Sequence, residues 1–384
     1  MEKLLIRKYF HPILAGSDAE THSKLIDQFA FRPTGSTTAA VTALLANVTR
    51  MLESNQHVRV ITFDFSKAFD SVRHYTLFQK LARVAIPDAL YNWIVRFITG
   101  RSHCTKLNQI ISQPCSINAS VVQGSALGPI LFIIGATDLQ PVCKSNAICK
   151  YADDFYLLVP ATNEASIAAE IDSIDSWAAA NNLKINKAKT HETVFTSRGN
   201  RPAPDPPALK DITRVSTLNV LGVSLHSTLQ MSEHINSVIL KANQTLYALK
   251  TLKSHGLSGM NLNNVCRATL IPKLTYAMPA WSGFASSEHF IRLQAILNRA
   301  ERWGLTSGTA LPSVKQLSQQ ADNTLFTGVV SSRAHVMKPL LPPQRRALPY
   351  ELRKRAHNFE LPRKTTTLST MNFIVRMLYS KLSQ

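Results

Sequence analysis

Three acids constrain this 384-residue chain more than any other feature of its sequence. Asp64 stands in VITFDF, and Asp153 and Asp154 stand in CKYADDFYLLV, both β-branched and aromatic stretches that read as strands. An unpaired carboxylate in such surroundings costs several kcal/mol, or its pKa rises until it is neutral. A divalent cation removes that penalty. Magnesium takes hard oxygen ligands and keeps substrate phosphates among them, so two or three carboxylates at the rim of a sheet suit a two-metal phosphoryl-transfer site. Adjacent residues of a strand point to opposite faces, so Asp153 and Asp154 both ligate only if a turn rotates one inward. Taken singly, each acid also fits an ordinary turn or helix-cap aspartate.

The pattern around the acids predicts a sheet that could present them. His57 to Phe65 reads as a strand, followed by a helical pattern through Val72, Leu77 and Leu81 and a second from Asp88 to Ile98. Short strand-like stretches fall around 104 to 121, and a helix from about 126 to 139. AICKY and FYLLV, separated by a short polar step, read as a hairpin with Asp153 and Asp154 at its turn. A helix near 164 to 181 and a strand at 192 to 196 complete the order strand, helix, hairpin, helix, strand, which is that of a ferredoxin-like sheet. RPAPDPPA, residues 201 to 208, must be a loop or linker. Beyond it a short strand is expected from Leu218 to Leu225, then an almost wholly helical stretch from about 231 to 320.

Charge narrows the partners. Lys and Arg number 43 against 24 Asp and Glu, a net charge of +19 that favours a polyanion such as nucleic acid. Residues 331 to 384 hold eleven Lys and Arg against two Glu, including Arg345-Arg346 and Arg353-Lys354-Arg355, and read as a basic tail making sequence-independent phosphate contacts. Cys104, Cys115, Cys143, Cys149 and Cys266 show no zinc spacing and read as small core residues of a reducing compartment. The longest apolar run, Leu127 to Ala136, is about half of the ~20 residues that a membrane-spanning helix needs. With no signal-peptide pattern at the start, an intracellular protein with no membrane partner is expected, nucleus or cytoplasm being left open.

Six segments stand in an order that carries a family resemblance. FDFSKAFDSV resembles motif A of reverse transcriptases, VVQGSALGPILF motif B, YADD motif C, NNLKINKAKT motif D and LGVSL the primer-grip motif E, while QFAFRPTGSTTAA resembles the finger motif before A. The helical region after 225, with YAMPAWSG and LQAILNRAERWG, is similar to the thumb and downstream region of long interspersed element polymerases. The chain as a whole thus resembles the reverse transcriptases of non-long-terminal-repeat retrotransposons.

The resemblance implies an α+β right-hand polymerase: partial fingers over 1–56, a ferredoxin-like palm with motifs A to D over 57–200, a linker and strand over 201–217, primer grip and helical thumb over 218–320, and the basic tail over 321–384. It implies an RNA template, a DNA primer and deoxynucleoside triphosphates as partners, and two Mg2+ ions, with Mn2+ as a substitute. Asp64, Asp153 and Asp154 match the catalytic acids, and the carbonyl of Phe65 would ligate the nucleotide-bound ion. Phe69 stands where the family has its steric gate, Gln123 and Gly124 where it contacts the incoming nucleotide, and Lys189 where a lysine serves the leaving pyrophosphate. Arg32 would touch template or nucleotide, whereas Asp70 and Ser71 are expected to cap the following helix. Val122 and IIGATDL depart from the family's usual residues. The family's triphosphate-gripping arginine-proline segment would lie upstream of Met1, which reads as an N-terminally truncated chain. A catalytically weak nucleic-acid-binding remnant of the same fold is the alternative.

Overall fold

The computed structural model describes residues 1–197, 205–308, 310–345 and 357–380. Its central strand, β1 (His57–Phe63), is buried on both faces. Val58 and Val60 point into one core, Ile61 and Phe63 into another, as the period of two requires. The short β2 (Phe65–Ser66) comes next; further on, β3 to β6 (Ser102–His103, Lys106–Leu107, Ile110–Ile111, Cys115–Ser116) account for the strand-like stretches around 104 to 121 and form small exposed ladders. The hairpin of β7 (Ala147–Tyr151) and β8 (Asp154–Pro160) follows, then β9 (Lys184–Ile185), β10 (His191–Thr196) and β11 (Thr213–Arg214). The main sheet runs β11-β10-β1-β8-β7. Its β10-β1-β8-β7 portion is antiparallel throughout and has the ferredoxin-like order expected from the sequence.

One face of the sheet is covered by α5 (His74–Leu81), α6 (Asp88–Ile98), α7 (Leu127–Gly135) and α8 (Ile167–Ala180), with the N-terminal helical segment that includes α1 (Glu2–Leu5) and α2 (Ala19–Lys24) packed into the same core. The other face is covered by α3 (Thr37–Leu52), of whose 16 residues eleven are buried. A helix apolar on nearly every side belongs in a core. Its alanines 39, 40, 43 and 46 let neighbours approach closely. α4 (Ala68–Ser71) is a short turn of helix within motif A.

The segment expected as a single strand at Leu218 to Leu225 is instead a hairpin, β12 (Thr217–Val220) and β13 (Val223–His226), turned by Leu221 and Gly222 at φ 48° and 83°. A turn with both central residues at positive φ is one of the hairpin types that match strand twist. The helical stretch then consists of α9 (Ser232–Ser254), α10 (Gly259–Thr275), α11 (Met278–Trp281), α12 (Ser287–Arg302) and α13 (Val314–Ser331). No helix among the described residues is long and apolar enough to cross a membrane.

One expectation needs correction. Of the five cysteines, all free, only Cys149 and Cys266 are buried; Cys143 is half-buried, Cys115 falls on an exposed ladder and Cys104 on the exposed link between β3 and β4. The basic tail, in its described parts, packs onto the rest of the fold. α14 (Thr367–Met371) and α15 (Phe373–Ser380) pack onto α3 and α13, burying Phe373, Ile374, Met377 and Leu378 in the same core as the sheet. Arg376 is paired with Asp322, and Lys338 donates to the carbonyls of Val329 and Val330 at the end of α13. Arg346 and Arg353-Lys354-Arg355 lie outside the described residues. Phe373→Ala should therefore cost about 3–5 kcal/mol of unfolding free energy, the range for a buried phenylalanine. Urea denaturation measures it, and a loss well under 1 kcal/mol would show that this segment does not pack into the core.

Candidate active site

The register of β1 against β8 pairs Phe63 with Phe155, so the next position on each strand end carries an acid, Asp64 on one and Asp154 on the other. Both line one cleft of about 520 Å³ together with Thr62, Tyr156, Lys189, His191 and, from the β12–β13 hairpin, Thr217, Leu218 and Asn219. Asp153 is not among the cleft's lining residues. It is the second residue of the two-residue turn between β7 and β8, where Tyr151 pairs with Asp154.

The turn is held in an unusual conformation from outside. Ala152 has φ 57°, a left-handed angle that costs an L residue with a Cβ roughly 1–2 kcal/mol. Its N–H donates to the side-chain oxygen of the buried Gln28 (3.1 Å), which also accepts from the N–H of Ala30 (2.9 Å). Residues 27 to 29 run alongside β7: Lys150 N–H donates to the Asp27 carbonyl (2.7 Å) and Phe29 N–H to the Lys150 carbonyl (2.8 Å). The Lys150 ammonium, fully buried, pairs with Asp27 (2.9 Å) and donates to the carbonyls of Ala136 and Leu139 beyond the end of α7. Burial pushes the Asp27 carboxyl up, against the pull of Lys150. Gly35 is required here by space, since a Cβ would come to 2.0 Å from the Phe29 carbonyl. The finger-like motif thus builds the edge of the acid-bearing hairpin, a role that the sequence analysis did not assign.

The electrostatics of the acids follow from this placement. Burial raises the Asp154 carboxyl to about 6, with Asp153 and then Asp64 adding to the rise. Asp153 is also raised, first by burial and then by Asp64, against one opposing backbone contact. The nearest counter-charge to Asp64 is Lys189, at 3.7 Å, and the lysine side chain is 69% exposed. Among the described residues no three carboxylate, imidazole or thiol groups draw close enough to hold an ion by themselves. The donor set is nevertheless hard oxygen carrying uncompensated negative charge, which suits a divalent cation that takes its remaining ligands from phosphate or water.

The other expected residues divide. β2 pairs with β9, and Asn186 N–H donates to the Asp64 carbonyl (2.8 Å), so motif D braces motif A directly behind its acid. The Phe65 side chain is buried edge-on against Phe155 and Trp177. The Phe69 ring, half-buried, stacks on Phe132 of α7 with centroids 4.4 Å apart. Gln123 is exposed, its amide donating to Asp70, and Gly124 has φ 79° with open space where a Cβ would stand. Asp70 and Ser71 therefore do not cap the following helix: Asp70 orients Gln123 and the Ser71 hydroxyl donates to the Lys67 carbonyl.

Arg32 departs furthest from expectation. Its guanidinium is buried and donates to the carbonyls of Leu25 (2.7 Å) and Leu14 (3.0 Å), with burial lowering its pKa to about 10. An arginine so committed ties the N-terminal segment together, and its burial keeps it from a nucleotide or template.

The family model described as Reverse transcriptase (RNA-dependent DNA polymerase) matches residues 20–225. Over 290 residues the chain is 26% identical to a probable RNA-directed DNA polymerase from transposon X-element of Drosophila melanogaster, covering 72% of this chain and 31% of that protein. It is 28% identical over 326 residues to the RNA-directed DNA polymerase from mobile element jockey of Drosophila funebris, covering 77% of this chain and 33% of that one. The chain spans about a third of the length of these curated relatives. Among solved structures, apo telomerase from Candida tropicalis superposes with a TM-score of 0.46 at 10% identity, covering 87% of this chain and 57% of that chain.

The strained turn makes a direct prediction. Ala152→Gly should keep the hairpin and raise the unfolding free energy by about 1 kcal/mol, since glycine adopts the left-handed angle without a clash. Equilibrium unfolding in urea measures it, and a loss of stability would mean that the turn carries no such strain.

Proposed function

This chain belongs to the reverse transcriptase family, and from that premise we propose that it is the polymerase core of a retrotransposon RNA-directed DNA polymerase, extending a DNA primer on an RNA template with deoxynucleoside triphosphates. The observation that carries the reading is the convergence of Asp64 and Asp154 on one cleft, with Asp153 in the adjoining turn. Burial and mutual repulsion leave these acids short of positive charge.

Two Mg2+ ions, which Mn2+ could replace, are the proposed occupants, held by Asp64, Asp153, Asp154 and the Phe65 carbonyl. When bound, they would supply neutralisation of the triphosphate and a lowered pKa for the primer 3′-hydroxyl. The chain's own residues do the rest by position. Lys189, next to Asp64 and free in solvent, can meet charge that develops on the departing pyrophosphate. Phe69, braced by Phe132, presents a ring edge as a barrier to a ribose 2′-hydroxyl. Gln123, oriented by Asp70, offers its remaining hydrogen-bonding capacity to the nucleotide, and the bare Gly124 lets the nascent pair approach. The overall charge of +19 supports nucleic acid as the partner.

Primer extension on an RNA template, with and without Mg2+, tests the reading. Asp64→Asn should lower the extension rate at least about a thousandfold while changing template-primer affinity less than about threefold, because phosphate contacts elsewhere supply the binding. Residual activity within tenfold of the parent would sink the assignment. A readout independent of activity comes from linkage. The raised Asp154 pKa favours the protonated folded protein, so in chelator this contribution to stability is present below pH 4 and is lost as pH rises through about 6. Mg2+ at millimolar concentration should therefore raise the melting temperature more at pH 7.5 than at pH 5, and an equal shift at both would argue against cation binding at these acids.

A further inference from the structure

The β12–β13 hairpin contributes Thr217, Leu218 and Asn219 to the cleft, yet its tip is held by a residue that does not line the cleft at all. Tyr276 follows the last residue of α10, and its hydroxyl donates to the Leu221 carbonyl (2.7 Å), 55 residues away in sequence. The same ring lies against Gly222, whose missing Cβ would meet it at 3.4 Å. Tyr276 is itself fixed: its carbonyl accepts from the indole N–H of Trp281 (2.9 Å), and Trp281 is fully buried in the core shared with α3.

From the other side the tip meets the acid-bearing hairpin. The Leu221 backbone faces the phenol of Tyr156, which lines the cleft beside Asp154. Burial, with Tyr276 next in effect, raises the phenol of Tyr151, the residue paired with Asp154. Two tyrosines, Tyr276 from the end of α10 and Tyr156 from the acid-bearing hairpin, thus flank one strained turn, in which Leu221 holds a left-handed φ of 48°. A non-glycine residue persists at such an angle where its surroundings over-determine it.

Resting on the function proposed above, we propose that Tyr276 is a positioning residue for the primer terminus, because its hydroxyl sets the distance of the β12–β13 tip from the two acids of the cleft. The polymer end that reacts must lie within a fraction of an ångström of its productive place, and a shift of 1 Å can cost about a hundredfold in rate. Thr217, Leu218 and Asn219 are the part of the cleft wall that moves with this hairpin: the start of α9 ties its strands, Thr217 to Glu233 and Ser224 to His234, while the Tyr276 hydroxyl holds its tip.

The test is Tyr276→Phe in the full chain, which removes the hydroxyl and keeps the ring. The rate of single-nucleotide addition at saturating nucleotide should fall about five- to tenfold, the equivalent of one neutral hydrogen bond. Template-primer affinity should stay within about twofold and the melting temperature should fall by no more than about 2 °C, the cost of one hydrogen bond, whereas a merely structural role would weaken affinity as well. A 2-aminopurine at the primer 3′ end, read without divalent ion, should brighten in the variant as the terminus loses its fixed stacking. Gly222→Ala, which strains the turn at its left-handed φ of 83° with the methyl against the same ring, should brighten it too, and Tyr247→Phe, on the exposed face of α9, should change nothing. Unchanged addition rate and unchanged fluorescence in Tyr276→Phe overturn the inference, as does a rate loss matched by losses of affinity and melting temperature. If the parent protein binds template-primer but never extends it, the polymerase reading fails, and the fluorescence of the two variants still decides whether Tyr276 positions the bound end.

Discussion

The cleft depends on the register of β1 between β8 and β10. Side chains alternate with a period of two, so a slip of one residue would exchange the two faces of β1 and carry Asp64 to the opposite side from Asp154. Both faces are buried, and burial alone sets the register only weakly when each side would accept Val or Ile. Arg59 breaks that degeneracy. Its guanidinium, essentially inaccessible to water, is paired with Glu164 at the start of the helical crossover and with Glu192 on β10, and Glu192 is also held by Arg214 of β11. Any other register would strand a buried charge without its partners, a loss of about 3–5 kcal/mol. The network lies in the sheet and touches no acid of the cleft, yet it decides where those acids appear.

Acids brought to a sheet rim also need the loop between β7 and β8 to stay put, and here the fingers-like segment and the palm are one construction. Gln28 supplies the acceptor that holds Ala152 at its left-handed angle, while Lys150 returns from the sheet to tie Asp27 and the end of α7. Lys150 is thus a cation inside the acid-bearing strand that neutralises nothing in the cleft. Its charge is consumed by Asp27 and two carbonyls, so the field at Asp153 and Asp154 remains negative. Separation of the structural cation from the functional anions allows a single hairpin to be rigid on one edge and charged at its tip.

What was legible in the sequence is what local pattern encodes. The strand at 57–63, the helix Asp88–Ile98 and the acid-bearing hairpin follow from periodicity, and the order of elements is enough for the sheet topology. The cleft acids were legible because carboxylates are conspicuous in apolar strands. Arg32 was misread because a sequence displays a charge without its surroundings, and only the fold shows the buried carbonyls of Leu14, Leu25 and Gln28 waiting for it. The hairpin at 217–226 was misread as one strand because its turn begins with Leu221 instead of the Asn or Asp usual at positive φ. Leu221 is held there by Tyr276, a contact across 55 residues that no local pattern records.

The C-terminal segment adds a constraint on motion. α3 meets β1, β7 and β8 on one side and α11, α14 and α15 on the other. Asn372 donates to Thr49 (2.8 Å), and the Thr34 hydroxyl, just before α3, accepts from Val336 N–H (3.0 Å). The chain therefore leaves the palm at the β12–β13 hairpin, passes through the helical region and returns to the helix that backs the palm sheet. Arg376 closes this return by binding Asp322 of α13 while its side chain also reaches Ser282 after α11. A close-packed interior is bistable or rigid, not smoothly deformable, so α11, α13 and α15 must move with the palm or not at all. Freedom is left to the outer parts of α9 and α10, where Leu240, Tyr247 and Met260 face solvent. Tyr276 stands at the boundary between the two regimes, one residue beyond the end of α10 and two before α11, where Ala277 takes a left-handed φ of 49°. Movement of the outer helices can thus reach the cleft through Tyr276, whose backbone is anchored to the rigid core and whose hydroxyl holds the hairpin tip.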